Sequence, residues 1–166
     1  VSKTTLVNAF KKNKIFKDYN FATERSEYLM NLGIPLNTDS TLKGQTVFLA
    51  ERCAELMHED LITDRTIFDV IAFTKSAKSI DLTESERFEE YASDFIREYD
   101  YIFYISPEGI PIENNGVRET DEHYRDLIDF SILHLIKRHG YKTNNLSEIK
   151  GTTDERIKQI LNVINL

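Results

Sequence analysis

Lys3-Thr4-Thr5-Leu6 opens a stretch whose apolar residues fall at helical spacing. A lysine and a hydroxyl residue at a helix start suit anion chemistry. The first-turn N–H groups and the positive end of the helix dipole face an incoming phosphate. The ammonium of Lys3 would reach the β- and γ-phosphates, and the hydroxyl of Thr4 would ligate Mg²⁺. The pattern matches the end of a phosphate-binding loop, G-x-x-x-x-G-K-[ST]. Ser2 stands where the last glycine belongs, and neither the glycine-rich segment nor a preceding strand occurs in this chain, which starts at Val1. If the motif holds, we expect roughly ten residues upstream. An ordinary helix start carries the same Lys-Thr pair.

Three more constellations carry chemistry. Leu61-Ile62-Thr63-Asp64-Arg65-Thr66 puts an acid and an arginine directly after a short apolar run. Asp64 would serve as a base toward a hydroxyl or as a Mg²⁺ ligand, and Arg65 would grip a phosphate. The alternative is an aspartate capping the next helix beside a solvated arginine. Gln45, Phe48, Glu51 and Arg52 recur at three- and four-residue steps. Gln45 offers paired hydrogen bonds to a base edge, Phe48 a stacking face, and Arg52 a phosphate or hydroxyl contact; an amphipathic helix with no ligand has the same spacing. Glu113-Asn114-Asn115-Gly116-Val117-Arg118 is a polar segment ahead of a long helix that carries Arg125. Such a loop closes over polyphosphate in some enzymes and is a plain surface loop in others.

These side chains need elements to hold them. Apolar periodicity predicts helices over residues 4–14, 24–32, 42–58, 84–99, 121–139 and 153–165. Thr83 with Glu86 and Thr152 with Glu155 read as capping boxes, Thr120 as a cap, and Gly140 as a helix stop. Short apolar runs at 19–23, 60–63, 101–106 and, weakly, 141–146 read as strands. Strands alternating with helices of this length predict parallel β-α-β units, whose ligands sit at the carboxyl ends of strands.

With 166 residues and no repeat or linker, the chain reads as one domain over 1–166. The net charge of −7 excludes a bulk basic surface and makes a nucleic-acid partner a poor match. No apolar run approaches membrane-spanning length. The single cysteine, Cys53, excludes an internal disulfide and fits a cytoplasmic setting. His58, His123, His134 and His139 lack zinc spacing, and His139 reads as complementing a helix dipole. No G-x-S-x-G occurs. Lys11, Lys12, Lys14 and Lys17 read as a solvated basic face, and the acidic stretch 84–100 as mostly solvent-facing.

Taken in order, these segments resemble the P-loop nucleoside and nucleotide kinases, in particular the nicotinamide-riboside-kinase-like AAA-type ATPases, across nearly the whole chain. Lys3-Thr4-Thr5 is similar to the phosphate loop, and Thr23-Glu24-Arg25 with Leu32-Gly33-Ile34-Pro35 to the second strand and helix. The stretch Thr46-Val47-Phe48-Leu49-Ala50-Glu51-Arg52 resembles the thymidylate-kinase helix whose arginine contacts substrate, and Asp64-Arg65-Thr66 the Asp-Arg pair of those enzymes. Phe68-Asp69-Val70-Ile71-Ala72-Phe73 is similar to the segment that follows it, Gly116-Val117-Arg118 with Arg125 to a lid at about 107–125, and Gly151-Thr152 to the turn flanking adenine.

The resemblance implies a three-layer α/β fold with parallel strands in the order 2-3-1-4-5, its first strand absent from this chain. It implies ATP- and Mg²⁺-dependent phosphoryl transfer to a nucleoside or nucleoside monophosphate. Ser2, Lys3, Thr4, Thr5, Gly151 and Thr152 would bind the nucleotide, and Thr4 and Asp64 the metal. Lys3, Asp64, Arg65, Arg118 and Arg125 would carry the transfer, and Glu24, Arg25, Gln45, Phe48 and Arg52 the acceptor. Arg52 and Arg65 tilt the expectation toward a monophosphate. A homodimer is compatible with this reading. Two alternatives remain open at this point: a nucleotide-binding regulator without turnover, and a kinase acting on a modified base in DNA. A GTPase-like switch would carry N-K-x-D, which is missing.

Overall fold

The computed structural model describes residues 3–23, 25–107, 121–143 and 145–165. The element order is α1 (Lys3–Lys11), β1 (Asn20–Ala22), α2 (Ser26–Asn31), α3 (Leu42–Glu55), β2 (Leu61–Thr63), α4 (Ile67–Ser76), α5 (Leu82–Ser93), β3 (Tyr101–Tyr104), α6 (Glu122–His139), β4 (Asn145–Glu148) and α7 (Thr153–Val163).

Among the described residues the strands form two separate parallel pairs. β1 pairs with β2 in parallel, Phe21 opposite Ile62, and β3 pairs with β4 in parallel, Ile102 opposite Leu146. Alternation along the strands sends their side chains to two separate cores. Ile102 and Leu146 join a cluster built from α3, α4, α5 and α6, with Ile67, Ile71, Ala92 and Leu135 fully buried. Phe21, Ile62 and Phe103 join a second cluster with Leu6 and Phe10 of α1 and Ile160 of α7. Helical layers therefore cover both faces of the strands, as expected of an α/β chain.

Helix α4 is the centre of the larger core. It packs against α3, α5 and α6, and Ile67, Phe68, Val70, Ile71, Ala72 and Thr74 are all buried. A helix covered on every side shows no amphipathic stripe, so periodicity does not mark it. Its cap does: Thr66 and Asp69 form a reciprocal capping box.

Several expected boundaries shift. The helix expected over 84–99 starts at Leu82, and its capping box is Asp81 with Glu84 rather than Thr83 with Glu86. Its last part tightens into a 3₁₀ turn, Asp94–Glu98. Asp121, not Thr120, caps α6. Gly140 keeps right-handed helical angles and leads into another 3₁₀ turn, Gly140–Lys142, instead of stopping the chain in a left-handed turn. Thr152 and Glu155 form the capping box expected of them.

The acidic stretch is not wholly solvated. Glu89 is 3% exposed and receives Lys75 at 2.7 Å, His139 at 2.7 Å and Arg138 at 3.3 Å. Burial alone would raise its carboxyl pKa, but the hydrogen bonds from Lys75 and His139 and the nearby cations hold it below the ordinary value. His139 thus binds a carboxylate as well as sitting at a helix end. The lysines at 11, 12, 14 and 17 are exposed, as expected.

Candidate functional site

Three carboxyl-end or amino-end positions converge on one cavity. The first turn of α1 brings Lys3 and Thr4, the end of β2 brings Asp64, and the start of α4 brings Asp69. The cavity has a volume of about 960 Å³, and its lining includes Lys3, Thr4, Asp64, Arg65 and Asp69. Thr4 Oγ1 donates a 2.6 Å hydrogen bond to Asp64 Oδ2, a length in the charge-assisted range. Asp64 is buried, 7% exposed. A hydroxyl and a carboxylate this close fit the small, oxygen-only demands of Mg²⁺, which takes one or two protein ligands and completes its shell with phosphate oxygens and water. No group of three His, Cys, Asp or Glu side chains fit to hold a metal occurs among the described residues.

Asp69 is the site residue that sequence reading passed over. Its Oδ1 accepts Arg65 Nη1 at 2.9 Å, and its Oδ2 accepts the Thr66 backbone N–H at 2.9 Å. Burial opposes its ionisation, yet the Arg65 guanidinium, the Lys3 ammonium and the Thr66 N–H together hold its carboxyl below the usual range. Lys3 is therefore within electrostatic reach of the α4 start. The Thr66-x-x-Asp69 spacing was the available signal. Arg65 also lies 5.8 Å from the centre of the Phe73 ring.

Helix α3 lines another wall through Gln45, Phe48 and Arg52. Thr41 caps this helix by accepting the Gly44 N–H at 3.1 Å, fixing the turn that precedes Gln45. Gln45 and Arg52 are each 3% exposed. Arg52 Nη2 binds Glu55 at 2.6 Å, and its Nη1 reaches Thr63 Oγ1 at 3.4 Å. Burial pushes the Glu55 carboxyl up, partly countered by Arg52. Arg25 lies over the Tyr28 ring at 4.4 Å and pairs with Glu51 at 3.2 Å.

From α6, Arg125 reaches the same cavity, as does Asp129, which accepts the Tyr104 hydroxyl at 2.6 Å. Burial and that carboxylate both push the Tyr104 hydroxyl pKa upward. Thr5 sits in the first turn of α1 but not in the cavity lining. Gly151 and Thr152 also lie outside the lining. They form the start of α7, where Gly151 takes a left-handed φ of +97° and Thr152 makes its capping box with Glu155. Ser2, Glu24, Arg118 and most of the lid at 107–125 lie outside the described residues. No helix among the described residues is long and apolar enough to cross a membrane.

The family model for an AAA domain matches residues 2–156. No curated protein and no solved structure gives a significant match. The matched span runs from the α1 cradle through β2, α4 and α6 to the cap of α7. The chain belongs to the AAA domain family, with a P-loop NTPase-type domain suited to nucleotide binding or hydrolysis.

Proposed function

We propose that this protein is a phosphotransferase that moves the γ-phosphoryl group of ATP to a nucleoside or nucleoside monophosphate. The observation that carries this reading is the Thr4–Asp64 hydrogen bond inside a cavity that Lys3 also lines. Lys3 and the α1 N–H groups would hold the β- and γ-phosphates, aided by Ser2 and Thr5. Thr4 and Asp64 would hold Mg²⁺. Bound there, the ion would neutralise charge on the phosphates. With a nucleoside acceptor Asp64 would orient the sugar hydroxyl and take its proton; with a monophosphate it would organise the metal and the substrate. Asp69 fixes Arg65 beside Asp64, and Arg125, together with Arg118, would meet the transferring group. Gly151 and Thr152 would flank the base. Alignment and charge stabilisation supply most of the rate in this chemistry.

The reading also puts a fifth parallel strand between β2 and β3, giving one sheet with β1 and β4 at its edges. The parallel pairing on either side supports it. Cytoplasmic location belongs to the same proposal.

The test uses the full-length protein with Mg²⁺ and ATP and a panel of nucleosides and monophosphates. ATP-dependent formation of a phosphorylated acceptor, abolished in Lys3→Ala and Asp64→Ala, is the expected result. ATP binding with no phosphorylated product from any acceptor would make the protein a nucleotide-binding regulator instead.

A further inference from the structure

We propose that the outer face of α6 is a docking surface for a second copy of this chain, the two helices packing antiparallel across a twofold axis near Phe130.

Helix α6 is apolar on two sides. Its inner side is used by the fold: Tyr124, Ile128 and Leu135 are buried in the larger core, and Ile132 and Ile136 pack against it. Its outer side carries Leu127, Phe130 and Leu133, which are 46%, 70% and 43% exposed and belong to neither core cluster. They recur at three-residue steps, so they form one stripe along the helix. Tyr141, 80% exposed, extends the stripe into the 3₁₀ turn beyond the helix. Single apolar residues on a surface are ordinary, whereas a contiguous stripe with polar ends marks a contact surface. The outer side does nothing for the folding of one chain, and burying it requires a partner.

Charge identifies that partner. Glu122 and Asp126 lie at the amino end of the stripe, and His134 and Lys137 at its carboxyl end, all four exposed. The stripe is therefore complementary to its own reverse. Two copies packed antiparallel bring Phe130 against Phe130 and set the acidic end of each helix against the basic end of the other, with Glu122 opposite Lys137. Parallel packing would instead oppose like charges at both ends, which is costly. A patch that fits itself about a twofold axis closes into a dimer and stops there. The helix has 18 residues and is about 27 Å long. One helix face of that length offers less than the roughly 800 Å² per partner of a standard interface, so the dimer is a weak one, held in the micromolar range.

Sedimentation velocity on the full-length protein, from about 1 to 200 µM, provides the test. The parent's mass should climb with concentration from that of one chain toward that of two. Phe130→Asp should stay a single chain throughout, with circular dichroism and melting temperature matching the parent. Glu122→Lys should weaken association by about fivefold or more, because it faces Lys137 with a like charge, and adding Lys137→Glu should restore it. A parent that stays single across the whole range overturns the inference and leaves the outer face of α6 to a different protein. Dimers that persist in Phe130→Asp also overturn it, since the interface then lies elsewhere. A Glu122→Lys protein that associates as the parent does overturns the antiparallel packing. None of these outcomes bears on the phosphotransferase reading.

Discussion

Thr4 and Asp64 are sixty residues apart in sequence and joined by a 2.6 Å hydrogen bond. The contact ties the start of the opening helix to the end of a strand in the β1–β2 pair. It also puts a hydroxyl and a carboxylate where a small divalent ion would find both.

Removing either partner should stop turnover. Thr4→Ala and Asp64→Asn are each expected to lower kcat at least about a hundredfold, in line with the loss of one aligned electrostatic group. Rapid-quench measurement of product formation checks this. Turnover within threefold of the parent in both would show that the pair has no part in the reaction.

Asp69 holds Arg65 from within the first turn of α4. Asp69→Ala should cost about 3 kcal/mol, since it removes a partner from a largely buried ion pair and a helix cap together. Urea denaturation reads this loss directly. An effect below about 0.5 kcal/mol would mean that Arg65 finds equal support elsewhere.

Glu89 should make the fold sensitive to acid. Its carboxyl pKa is lowered in the folded chain from an ordinary value near 4.5. A lowered folded value means that this stabilisation is complete above the unfolded value. It is lost as pH falls through the folded one, so the loss belongs below about pH 4.5. In Glu89→Gln, the stability curve should be flatter in that range and lower at neutral pH. Melting temperatures from pH 3 to pH 7 provide the measurement, and parallel curves for the two proteins would contradict it.

Gly151 is held at a φ of +97° ahead of α7. A side chain there is strained, and its Cβ would collide with the Glu155 carboxylate that closes the capping box. Gly151→Ala should therefore destabilise by about 1–2 kcal/mol. Thermal unfolding of Gly151→Ala beside Thr152→Ala would separate strain from loss of the cap. A Gly151→Ala protein as stable as the parent would rule out the strain.

Much of the lining of the candidate cavity was legible because those residues sit at element boundaries. Lys3, Thr4 and Asp64 lie where a helix begins or a strand ends, and local pattern marks such places well. Arg52 was legible as a side chain but not as a partner. Its pairing with Glu55 depends on how deeply α3 is buried, which spacing alone does not reveal. Helix α4 escaped periodicity because every face of it is covered. Glu89 looked like one more surface acid until α4 and α6 closed over it.

The Glu89 carboxylate on α5 has a wider consequence: by taking Lys75 of α4 and both Arg138 and His139 of α6, it knots three helices at one buried point, so neutralising it should slacken the larger core as a unit rather than one helix of it.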